Sequence, residues 1–96
     1  MPVKLEIRAQ SPGEYQLWVA ENNTDWALLS HSKGFLTADE IHAVLAQGCE
    51  RSGWELFPEE VAFLDAQQRK VSMPRDLWCR LRGLFLEREL QRHRGH

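Results

Sequence analysis

The feature that most narrows what this chain can fold into is strict alternation near its start. Val3, Leu5 and Ile7 are separated by Lys4, Glu6 and Arg8. A period of two puts three apolar side chains on one face of a strand and three charged ones on the other. A strand of that kind needs neighbouring strands and a layer to cover its apolar face. Ser11-Pro12-Gly13-Glu14 reads as a turn, because proline fixes φ and glycine accepts positive φ. Tyr15, Leu17 and Val19 then share one face of a second strand, and Trp26 and Leu28 begin a third.

Register follows from turn length. A two-residue turn at Asn22-Asn23 pairs Val19 with Trp26 and Leu17 with Leu28. A two-residue loop at Pro12-Gly13 would turn the apolar set of the first strand outward. An odd loop or a bulge near Gly13 is therefore predicted, pairing Ile7 with Leu17 and Leu5 with Val19. The reverse face of strands two and three then carries Trp18, Ala20, Ala27 and Leu29, which is apolar for a face left in water.

Periodicity changes at residue 37. Thr37-Ala38-Asp39-Glu40 is a capping box, with Leu36 and Ile41 at the hydrophobic staple positions. Ile41, Val44 and Leu45 form the inward stripe of a helix over 37–47, and Gly48 supplies the stop. The segment 54–73 is ambiguous. Pro58-Glu59-Glu60 suits a helix start, yet Val61-Ala62-Phe63-Leu64 is too short an apolar run for periodicity to decide. The favoured reading is a second hairpin, 60–64 with 70–73, and a helix over 58–68 is the alternative. A long helix from about Pro74 to Arg92 closes the chain, with Leu77, Trp78, Leu81, Leu84 and Phe85 on one arc.

The expected fold is α+β: an antiparallel meander, one short capped helix, a second hairpin and a long C-terminal helix packed on the sheet. At 96 residues this is one domain, 1–92, followed by a flexible tail, 93–96.

Chemistry is sparse. Cys49 and Cys79 lack the spacing of a zinc or redox pair, and no glycine-rich phosphate loop is present. His93 and His96 fall in the tail. Asp39-Glu40 and Glu59-Glu60 sit where helix starts favour negative charge. No catalytic set, metal site or cofactor site is predicted, and the chain is read as a non-enzyme. No apolar stretch approaches a membrane span, and Met1 to Glu6 lacks the apolar run of a secretion signal. Two cysteines are too few for a disulfide scaffold, so a cytoplasmic location is expected.

Two features point to partners. The first is surplus apolar surface. Opposite the core arc of the last helix, Cys79, Gly83, Leu86 and Leu90 recur at a heptad-like spacing. Trp18, Ala27 and Leu29 form a second patch on the sheet. One helix can cover only one of them, so a protein partner or a second copy of the chain is expected on the other. The second feature is charge. Residues 1–68 hold four Lys/Arg against eleven Asp/Glu, and residues 69–96 hold eight against three. Nucleic-acid binding by the basic C-terminal third is the alternative function.

Overall fold

A computed structural model of the chain describes residues 2–21, 25–29 and 34–94, with the backbone alone for 86–94. The described residues form a mixed α+β structure with a four-stranded sheet and two α-helices. Its elements are β1 (Val3–Ser11), β2 (Glu14–Glu21), β3 (Ala27–Leu29), α1 (Ala38–Arg51), a 3-10 turn (Pro58–Glu60), β4 (Val61–Leu64) and α2 (Arg75–Arg94).

The β1–β2 hairpin has the predicted register. Leu5 pairs with Val19 and Ile7 with Leu17, and the ladder shifts between Ala9 and Ser11, close to Gly13 at φ 79°. That shift keeps both apolar sets on one face. The β2–β3 register differs from expectation by one residue: Val19 pairs with Ala27, Trp18 with Leu28 and Leu17 with Leu29. The expected pairing rests on a two-residue turn at Asn22-Asn23. Part of the connection from Glu21 to Ala27, residues 22–24, lies outside the described residues. A slip of one exchanges the faces of β3, so Trp26 and Leu28 are not core residues, and they are 45% and 40% exposed.

The sheet is not a pure meander. Its order is β3-β2-β1-β4, and β4 runs parallel to β1, with Leu5 opposite Val61 and Ile7 opposite Phe63. A parallel neighbour needs a crossover; here β2, β3 and α1 lie between the two strands in sequence. The helix alternative for 58–68 is overturned, since only Pro58–Glu60 are helical and the chain is extended from Val61. The expected return arm at 70–73 shrinks to one antiparallel bridge, Leu64 with Lys70, and a hydrogen bond that the Val71 amide donates to the Phe63 carbonyl. Asp65 holds the intervening loop. Its carboxylate accepts from the Gln67 and Arg69 amides at 2.9 Å each and from Arg69 Nε at 3.0 Å.

Those bonds, the one from the Arg69 amide foremost, lower the Asp65 pKa below the ordinary carboxylate range. The folded pKa is depressed relative to an unfolded value of about 3.9. Its contribution is therefore complete above that value and is lost as pH falls through the folded pKa. Acidification should weaken the bonds from the Gln67 and Arg69 amides, read as moved resonances of those amides in an NMR titration. Asp65→Ala, which removes the acceptor, should show the free-amide pattern at neutral pH, and identical spectra for the two proteins would contradict this account.

The α1 cap is as the sequence implies. The Thr37 hydroxyl accepts from the Glu40 amide at 3.2 Å, and Glu40 Oε1 accepts from the Thr37 amide at 3.0 Å. The predicted stop at Gly48 is wrong. Helix α1 continues to Arg51, is capped at Ser52, and turns at Gly53, where φ is 69°. The Ser52 and Trp54 amides both donate to the Gly48 carbonyl. Gly48 has a packing role instead, because the ring of Trp54 lies where its Cβ would be.

The core lies between one face of the sheet and both helices. Val3, Leu5, Ile7, Tyr15, Leu17, Val19 and Phe63 meet Ile41 and Leu45 of α1 and Leu77, Leu81 and Phe85 of α2. Tyr15 and Phe63 make an edge contact with ring centroids 6.1 Å apart. Trp78 departs from its predicted place: it is 40% exposed, though it stacks on Phe85. It lies at the margin of the α2 arc, 100° from Leu77 on an ideal helix.

Candidate interaction surfaces

With both helices on one side, the other face of the sheet carries no helix among the described residues. Alternation assigns Lys4, Glu6 and Arg8 of β1, Gln16, Trp18 and Ala20 of β2, Leu28 of β3, and Ala62 and Leu64 of β4 to that face. Trp18 is its centre, paired with Leu28 on one side and Glu6 on the other. Its own sheet covers part of it. The Arg8 guanidinium lies 4.5 Å from the Trp18 ring centroid, and Arg8 Nη2 is 3.1 Å from Glu6 Oε2. Trp18 Nε1 donates to Gln16 Oε1 at 3.4 Å.

The predicted sheet patch is thus half assembled. Trp18 is on the open face, but Ala27 and Leu29 pair with Val19 and Leu17 and belong to the side that faces the helices. Leu28 takes their place beside Trp18. Sequence reasoning missed Leu28 because register across a connection of unknown length cannot be read from alternation alone.

The helix stripe is placed as expected where it is described. Cys79 and Gly83 are exposed on α2, opposite Leu77 and Leu81. The side chains of Leu86 and Leu90 lie outside the described residues, as do residues 95–96 of the predicted tail; α2 itself continues through Arg94. A Cβ at Gly83 would meet nothing within 4 Å, so no contact among the described residues requires glycine there. Gly83→Ala should therefore stabilise the single chain by about 1 kcal/mol through helix propensity, measurable by urea denaturation at low concentration. A loss of stability would show that the position is crowded.

Charges near this surface are partly committed. Arg80 forms an ion pair with Asp39 in the first turn of α1 and also donates to the Asp76 carbonyl. Arg75 and Arg82 are exposed. Burial raises the Tyr15 phenol pKa, Asp76 adds to the rise and Arg80 opposes it.

One cleft of about 410 Å³ lies near the start of β1, lined by Pro2, Val3, Lys4, Ala20, Phe57, Glu59 and Glu60. Its origin is a length mismatch. The chain pairs with β1 at Pro2–Glu55 and again at Leu5–Val61, so residues 56–60 span what three steps of β1 cover. The 3-10 turn takes up the excess.

Among the described residues, no group of three His, Cys, Asp or Glu side chains is placed to hold a metal. Neither cysteine forms a disulfide; Cys49 is buried and Cys79 exposed. No described helix is long and apolar enough to cross a membrane. No protein-family model, curated protein or solved structure matches the chain.

Proposed function

We propose that the chain is a small cytoplasmic protein-interaction domain, adaptor or regulatory rather than catalytic, that self-associates through the outward stripe of α2. The observation that supports this reading is the placement of both helices on one face of the sheet. It leaves Cys79 and Gly83 on the outside of α2 and Trp18 with Leu28 on the opposite sheet face. Large apolar side chains left outside a small fold are characteristic of binding surfaces. On α2, the exposed Gly83 costs helix stability with no contact among the described residues to offset it, and close approach of a second backbone supplies one.

Light scattering on three proteins tests the reading. Wild type should run as a dimer and remain one in about 1 M salt, where the Debye length is roughly 3 Å. Gly83→Arg should be monomeric, and Leu28→Asp should still dimerise. A monomeric wild type, or a Gly83→Arg dimer, contradicts the proposal. The alternative reading, nucleic-acid binding by the basic C-terminal third, draws on Arg75 and Arg82, since Arg80 is held by Asp39. It requires capture of a DNA or RNA duplex that weakens steeply as salt rises.

A further inference from the structure

We draw no further inference here: the strongest candidate, the cleft beneath the 58–60 turn, has Lys4, Glu59 and Glu60 exposed to solvent at its rim, and no buried polar or charged side chain among the described residues is aimed into it to indicate a ligand.

Discussion

Gly48→Ala is expected to remove about 3 kcal/mol of stability, between the upper range for overpacking a core and the lower range for losing a buried tryptophan. The added methyl would fall inside contact distance of Trp54 Cε3, Cζ3 and Cδ2. The ring has little room to yield. Trp54 is buried, its amide bonds to the Gly48 carbonyl, and its Nε1 donates to Glu21 Oε1 at 3.1 Å. Moving it would break a link between the end of α1 and the end of β2. For a domain of this size the midpoint of thermal unfolding should fall by roughly 15 °C. A double-mutant cycle isolates the cause. In a Trp54→Ala background the clash is gone, and Gly48→Ala should be neutral or stabilising by up to about 1 kcal/mol. An equal loss in both backgrounds would show that the ring is not what excludes the methyl.

Leu81→Ala should cost about 3 kcal/mol, within the usual range for emptying a fully buried leucine site. Leu81 is 0% exposed and stands between Leu77 and Phe85 on the face of α2 that joins the core. Arg82, one position on, is exposed. Arg82→Ala should change stability by no more than about 0.5 kcal/mol. Circular dichroism during urea unfolding reads both values. Similar losses at 81 and 82 would mean that α2 presents a different face to the core.

The legible parts of the fold were those governed by local pattern. The capping box at Thr37 and Glu40 marked the start of α1, because cap geometry is written in adjacent residues. Alternation in β1 and β2, with the requirement that both apolar faces coincide, fixed the Leu5–Val19 register. The errors came where a distant contact decides. Gly48 resembled a helix stop, yet its small size serves a tryptophan six residues later, and Gly53 makes the turn. The parallel pairing of β4 with β1 joins segments more than fifty residues apart, and nothing within Val61–Leu64 announces its partner. The α2 stripe was readable as a helical projection, so Cys79 and Gly83 fell outside as expected. The sheet patch was not, because a register slip of one residue exchanges Leu28 for Ala27 and Leu29 beside Trp18.

Alkylation of Cys79 tests association through α2, since the thiol sits within the proposed contact and Cys49 is a buried internal reference. If α2 joins two copies, the maleimide reaction at Cys79 should slow as protein concentration rises through the dimerisation range. Gly83→Arg should restore the fast rate, and Cys49 should stay slow throughout. A Cys79 rate that is fast and independent of concentration would contradict the account.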